Sequence, residues 1–412
     1  MAKPLEFISL FSGAGGLDLG FEAAGWECLY ASDIDPQAAA TLRLNQGKVV
    51  GGKAVLEHTV LEQADISALT GRDILAKVGR DQGDVPLLVG GPPCQSWSSA
   101  GHQRGFDDPR GQLFKDYIRI ARETGVRWIV FENVRGLLTA RGPDGVPGSA
   151  LEHIRKSLLD SGFQTEVELL NAADFGVPQR RVRLFLIGFR AGDRPPFPRP
   201  THIRAAELLE PDRKPWVTLR NCLDSITGPM SDEVIRPNVA LHEQLSELSP
   251  GSGVKSPGKA ETTRPGGHWG YKQGAFVADT SLPARTVTAS AQQDWIKDTK
   301  LGLRRLSPRE CAAIQTFPSN WEFAGKRSDQ YRLIGNAVPA GLAYAVAAAL
   351  RGHMEQGSAM VTSSQATTKL TPLRPHLLSA IHYTRRDESR NGESRRVAPV
   401  KRRGQLSLVG ER

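Results

Sequence analysis

Glu6-Phe-Ile-Ser-Leu-Phe-Ser-Gly-Ala-Gly-Gly-Leu17 is the stretch on which the fold turns. Its apolar run through Phe11 reads as a buried strand, its glycines permit a tight turn, and the pattern from Gly16 to Ala24 reads as a helix. Such a turn lets backbone approach a ligand at a helix N-terminus, although it is equally a plain strand-to-helix connection. The dinucleotide fingerprint Gly-x-Gly-x-x-Gly is not met, because its sixth place, counted from Gly13, holds Asp18. The same rhythm continues outward. Strands are expected at Glu6–Phe11, Glu27–Asp33, Pro86–Gly91, Arg127–Glu132, Phe163–Leu170 and Val182–Phe189. Helices are expected at Gly16–Ala24, Pro36–Asn45, Leu113–Thr124 and Ala150–Asp160. Repeated βαβ units of this kind make an α/β domain, a mostly parallel sheet with helices on both faces.

The chain's 412 residues exceed what one compact core needs. Arg194-Pro-Pro-Phe-Pro-Arg-Pro200 breaks the rhythm, and a long Gly-, Pro- and Ser-rich stretch follows before helical patterns return at Ser307–Gln315 and Asn336–Leu350. Residues 1–190 and 300–353 are therefore expected to form one domain, 191–299 a smaller irregular lobe, and 354–412 a basic, mobile tail. Net charge is +9, but eleven basic and four acidic residues lie from Gln356 onward, so charge alone does not establish a polyanionic partner. Cys28, Cys94, Cys222 and Cys311 include no Cys-x-x-Cys pair, which argues against a disulfide scaffold or structural zinc and fits the cytoplasm. No run approaches the ~18 apolar residues of a membrane span, so no membrane is expected.

Several residues carry chemistry. Asp33 ends the second strand, twenty residues after Gly13, where an acid can take two ribose hydroxyls. Asp65 follows Glu62-Gln-Ala and can end another strand facing an adenine amino group, although each acid taken singly reads more readily as a solvated turn residue. In this order the acids describe an adenosine pocket without a pyrophosphate site. Gly90-Gly-Pro-Pro-Cys-Gln-Ser-Trp-Ser98 runs a buried strand into two prolines, which stop the ladder just before Cys94. A lone cysteine is by default a small core hydrophobe; here it stands at the carboxyl end of a parallel strand, where such sheets bind substrates. The segment 95–112 can close over a ligand. Phe131-Glu-Asn-Val134 delivers Glu132 to the same edge, where partial burial would raise its pKa and permit proton donation. In Gln179-Arg-Arg-Val-Arg183, alternation puts Arg181 and Arg183 on one face, a site for an anionic substrate.

Six motifs now stand in order: Phe-x-Gly-x-Gly-Gly, Pro-Pro-Cys-Gln, Glu-Asn-Val, Gln-Arg-Arg-x-Arg, Arg285-Thr-Val-Thr-Ala289 and Gly335-Asn-Ala-Val-Pro339. Together they resemble the cytosine-C5 DNA methyltransferases of bacterial restriction-modification systems, from about residue 6 to 352. The resemblance implies an S-adenosylmethionine-dependent, Rossmann-like fold with 191–299 as target-recognition lobe. It implies Cys94 as the thiolate that attacks cytosine C6, Glu132 as the proton donor to the ring, and Arg181 and Arg183 as its anchors. Pro93, Gln95, Ser98, Asn133 and Thr288 would line the base pocket, into which the target is flipped from duplex DNA. For the cofactor it implies Phe11, Gly13, Gly15, Gly16, Leu17, Asp33, Ile34, Asp65, Ile66, Leu113, Asn336 and Val338. Asp33 stands where many members of the family carry Glu. No metal is implied.

The lobe 191–299 holds thirteen basic and thirteen acidic residues, so selected side chains rather than a broad positive patch must read DNA. His268-Trp-Gly-Tyr-Lys272 is a candidate reading loop or, equally, aromatic core. A cytoplasmic monomer is expected, protecting double-stranded host DNA from a cognate restriction endonuclease. The alternatives are tRNA as substrate with the same chemistry, or an inert DNA-binding relative.

Overall fold

The computed structural model describes residues 4–93, 112–190, 194–204, 212–229, 231–260, 274–355 and 369–396, the last stretch with side chains through Arg386. Its larger domain runs β1 (Leu5–Leu10), α1 (Gly16–Ala23), β2 (Trp26–Asp33), α2 (Pro36–Asn45), β3 (Val60–Gln63), α3 (Gly71–Val78) and β4 (Leu87–Gly90). It continues with α4 (Leu113–Thr124), β5 (Trp128–Val134), α5 (Ser149–Asp160), β6 (Gln164–Asn171) and β7 (Val182–Phe189). These strands form one seven-stranded sheet in the order β3-β2-β1-β4-β5-β7-β6. Neighbours from β3 to β5 pair in parallel, while β7 runs antiparallel to both β5 and β6. Up to Phe189 the elements read from the sequence match the observed ones to within two residues at each end, whereas the helix expected at Asn336–Leu350 starts at Ala340 and runs to Glu355.

Burial on both faces explains why β4 and the first four residues of β5 are unbroken apolar runs. Phe7, Leu87, Val89 and Val130 pack into one core, and Ile8, Leu10, Leu88, Ile129 and Phe131 into the core on the opposite face. Residues of α1 and α2 join the first, and residues of α3, α4 and α5 join the second. The acid Asp65 does follow a strand, β3, but α3 was not legible. Its single apolar pair, Ile74-Leu75, lies among charged neighbours.

The smaller lobe holds α6 (Leu219–Asp224), α7 (Val239–Ser246) and a sheet of β8 (Ser252–Gly253), β9 (Phe276–Val277), β10 (Trp295–Asp298) and β11 (Gly302–Arg305). Leu245, Leu248, Val277, Trp295 and Leu303 form its core. The β10–β11 hairpin straddles residue 299, so this sheet reaches Arg305. Buried Arg304 ties the hairpin to the next segment of chain, pairing with Asp298 at 2.8 Å and Glu310 at 2.7 Å.

The chain then returns through α8 (Pro308–Ile314), α9 (Arg327–Asn336) and α10 (Ala340–Glu355). Two glycines of α1 admit it. A Cβ on Gly16 would lie 2.1 Å from the Val338 carbonyl oxygen, and one on Gly20 2.4 Å from the Ala343 Cβ. Arg327–Glu355 is long and apolar enough to cross a bilayer, more apolar than the sequence reading allowed; 67% of its apolar window is buried inside the protein.

Beyond it, α11 (Pro375–Arg396) corrects the expectation of a mobile tail. Leu377 and Ile381, one helical turn apart, are buried in the core shared with α5. Ser/Thr-rich sequence before them and basic clusters after them conceal that short apolar stripe.

Candidate active site

β1 ends in a turn whose backbone enters the left-handed region at Phe11, Gly13 and Gly15. Gly13 has φ +55°, and a Cβ there would meet nothing within 4 Å, so the turn faces open space. Gly15 has φ +84° and packs against Trp321 and Leu42, while the Trp321 indole donates to the Ala14 carbonyl at 3.2 Å. Asp33, at the end of β2, closes the other side: Oδ2 accepts from Gly13 N at 2.9 Å and Oδ1 from Asp35 N at 2.9 Å. Burial raises its pKa, and those two backbone donors hold the rise in check. Asp35 in turn caps α2 through Gln37 N and pairs with Arg332 of α9, one helical turn before Asn336. The side chains of Leu17 and Val338 are buried in one core, and Asn336 is exposed.

Ile34 is exposed at the end of β2, Ile66 is buried after β3, and Leu113 opens α4. Asp65 is exposed, and its carboxylate accepts from Ser67 N at 2.9 Å, which lowers its pKa. It also lines an open cleft of about 560 Å³ beside α3. No other expected cofactor residue lines that cleft, whereas Gly13 and Asp33 meet at the ends of β1 and β2.

The ends of β4 and β5 form the second part of the site. Glu132 is buried, and its Oε2 would lie 3.0 Å from a Cβ on Gly91, which places the carboxylate against the backbone leading to Pro92 and Pro93. Asn133 donates to the Pro92 carbonyl at 3.0 Å and so fixes that turn from below. Burial raises the Glu132 pKa; Arg183, whose Nε lies 3.2 Å from Oε1, and then Arg181 pull it back. With its pKa raised by burial, the carboxyl holds a proton more readily than a free one and can release it to a partner. Cys94, Gln95, Ser98 and the sequence His268–Lys272 lie outside the described residues.

Arg181, expected as a substrate anchor, acts on the Glu132 carboxyl through its charge and is also held by backbone carbonyls of the protein. Its side chain is fully buried, with Nη1 donating to the Val287 carbonyl and Nη2 to those of Gly335 and Ala337, each at 2.8 Å. Residue 181 precedes β7 and turns inward, toward the two returning segments, while Arg183 on the strand turns toward Glu132. Two buried glutamines, not singled out in the sequence, complete this clasp. Gln179 accepts from Val287 N at 2.8 Å and donates to Gln315, which donates to the Ala337 carbonyl at 3.0 Å. Gln179 stood in a quoted motif; Gln315 gave no signal beyond a polar residue closing an apolar helix. Thr288 is exposed, and its backbone lies so close to Gly335 that a Cβ there would fall 2.1 Å from the Thr288 carbonyl oxygen.

A sheet in this order, with a glycine turn and an acid at successive strand ends, defines the Rossmann-like domain of S-adenosylmethionine-dependent methyltransferases. The family model for C-5 cytosine-specific DNA methylases matches residues 5–352. The chain belongs to that family, and it is a DNA cytosine-5 methyltransferase. It is 32% identical over 375 residues to the type II methyltransferase M.NgoPII of Neisseria gonorrhoeae, covering 86% of this chain and 97% of that one. It is 32% identical over 367 residues to the type II methyltransferase M.FnuDI of Fusobacterium nucleatum, covering 83% and 93%. Among solved structures, a prophage-encoded E. coli chain described as a DNA modification methyltransferase matches with TM-score 0.62 at 21% identity, covering 85% of this chain and 99% of that one. A DNMT2 variant from Spodoptera frugiperda matches with TM-score 0.58 at 19% identity, covering 84% and 99%. At those identities the structures show the fold.

Proposed function

We propose that the chain methylates C5 of one cytosine in a short sequence of double-stranded DNA, with S-adenosylmethionine as methyl donor. We further assign it to a restriction-modification pair, as a cytoplasmic monomer that protects DNA from a cognate endonuclease; its type II relatives support that setting. The observation that carries the reading is the position of Glu132. It is a buried carboxyl against the Gly91–Pro93 turn, on the sheet edge that also holds the Gly13–Asp33 cradle.

The donor fits that cradle. Open space at Gly13, the Asp33 carboxylate for ribose hydroxyls, and a turn lacking a pyrophosphate fingerprint suit an adenosine without phosphates. When bound, S-adenosylmethionine supplies an electrophilic methyl group. The remaining chemistry belongs to the chain. Cys94 thiolate forms a bond to C6 of a flipped-out cytosine, and the C5–C6 electron pair moves onto the ring as Glu132 gives its proton to N3. Arg183 orients Glu132 and favours its anionic form once that proton has left. C5 is then nucleophilic enough to take the methyl group; a water molecule takes the C5 proton, the C5–H electron pair re-forms the C5–C6 double bond and expels the Cys94 thiolate, and N3 returns its proton to Glu132, restoring aromaticity. Asn133 holds the Pro92 carbonyl, fixing the turn beside Glu132.

The test is transfer of radiolabelled methyl from S-adenosylmethionine to duplex DNA, with tRNA as a parallel substrate and Cys94→Ala as control. Label in duplex DNA that vanishes in the variant supports the reading. Label confined to tRNA, or persisting without Cys94, overturns it.

A further inference from the structure

Asp33 and the returning helix α9 are joined through one intermediary, Asp35. The Asp33 carboxylate accepts from Gly13 N on Oδ2 and from Asp35 N on Oδ1, each at 2.9 Å. A carboxylate offers about four lone-pair sites, so each oxygen keeps one for a ribose hydroxyl, provided the group stays aimed and ionised. Its aim depends on Asp35, which supplies one of the two donors. The Asp35 side chain is held from two helices. From α2, Gln37 N donates to Oδ1 at 2.9 Å. From α9, Arg332 pairs with both oxygens, Nη2 meeting Oδ1 at 3.4 Å across 297 residues of sequence. Arg332 also lies 3.5 Å from Asp329, one turn back on its own helix. The two helix starts approach closely here: a Cβ on Gly325 would lie 2.9 Å from Gln37 Oε1.

Helix α9 thus presents Arg332 to the cradle and, one turn later, ends at Asn336, itself expected beside the cofactor. We propose that Arg332 is a positioning residue for the cofactor: by holding Asp35, it aims the Asp33 carboxylate at the ribose hydroxyls. Charge works in the same direction. Burial foremost opposes ionisation of Asp33, and so do two like charges, Asp35 at the start of α2 and Asp18 in α1; the Arg332 guanidinium favours it. Taking the cation away loosens the aim and lets Asp33 take up a proton at higher pH. A lysine would return the charge from a single point, without the two-point hold on Asp35.

This inference rests on the reading of Asp33 as the ribose acid. S-adenosylhomocysteine shares its adenosine with S-adenosylmethionine, and calorimetry measures its binding to the full chain without turnover. Its 2′,3′-dideoxy analogue is the second probe. Arg332→Gln is expected to weaken S-adenosylhomocysteine about tenfold, the worth of one hydrogen bond to a charged group. The dideoxy analogue should bind variant and wild type alike, since it brings no hydroxyls for Asp33 to take. The deficit with S-adenosylhomocysteine should be larger at about pH 5 than at about pH 8, where Asp33 is ionised with or without the cation. Arg332→Lys should remove that difference between the two pH values while recovering only part of the affinity. An Arg332→Gln protein that binds S-adenosylhomocysteine as the wild type does, or that loses the same factor on both probes, would overturn the inference. Should Arg332→Gln fail to fold, Arg332→Lys carries the comparison: a loss confined to S-adenosylhomocysteine supports the inference, and no loss or an equal loss on both probes overturns it. A wild type that binds the two probes equally would overturn the ribose role of Asp33, the reading beneath it.

Discussion

Replacing Arg181 and Arg183 separates two guanidiniums that lie two residues apart in one motif. Arg181 donates three hydrogen bonds to backbone carbonyls of segments more than a hundred residues away, with its side chain fully buried. A hydrogen bond from a charged donor contributes about 1.5–3 kcal/mol net, and a carbonyl left orphaned costs about 1–3 kcal/mol. The three acceptors belong to adjoining segments and relax together, so the losses are not additive; Arg181→Ala is expected to cost about 4 kcal/mol. At about 2–4 °C per kcal/mol, that is a fall in Tm of roughly 8–16 °C. Arg181→Lys offers donors from a single point and cannot span Val287 and Gly335 together, so it should recover no more than half. Arg183→Ala leaves Glu132 free to take up a proton, and should cost less than half as much stability while abolishing most methyl transfer. Differential scanning fluorimetry and a radiolabel assay on the three variants suffice. An Arg181→Ala protein with wild-type Tm, or an Arg183→Ala protein that is the less stable of the two, would refute the clasp.

Glu132→Gln keeps the shape but removes the proton donor, and kcat is expected to fall by roughly 10²–10⁴, read by methyl transfer under saturating substrates; retained kcat would exclude the acid role. Gly13→Ala places its methyl in open space but at φ +55°, where alanine is strained, so it should cost about 1 kcal/mol of stability and also weaken S-adenosylmethionine binding, seen by calorimetry. Gly20→Ala, with 2.4 Å to Ala343, should instead cost about 1–3 kcal/mol of stability with unchanged cofactor affinity. Burial raises Asp18 to a pKa of about 6 and Glu22 to about 7, from 3.8 and 4.5. The folded state therefore binds more protons than the unfolded one between about pH 4 and pH 7, and stability falls as pH rises through that window. Urea denaturation of Asp18→Asn should show a larger gain over wild type at pH 8 than at pH 5; an equal difference at both would contradict it.

The α/β rhythm was legible where a parallel strand is buried on both faces, as β4 is, and a crossover helix keeps its apolar stripe, as α4 does; β3, only partly buried, and the charge-rich α3 lack those signals. Asp33 was legible for the same reason: a strand ends there, and geometry follows from the sheet. The role of Arg181 was not, because alternation along a strand gives the face of a side chain and not the distant carbonyls that claim it. Gln315 lay still further out of reach, since its partners, Gln179, Ile334 and Ala337, meet only after the smaller lobe has been spanned. In α11, two buried residues outweigh a basic, Ser/Thr-rich composition, which an average over the tail conceals.

Bisulfite sequencing of DNA from cells expressing the chain, beside cells expressing Cys94→Ala, tests the central claim most directly. The account requires protected cytosines in a single sequence context with the wild type and none with the variant. Folded protein present with no protected cytosine, or the same protection without the Cys94 thiol, would contradict it.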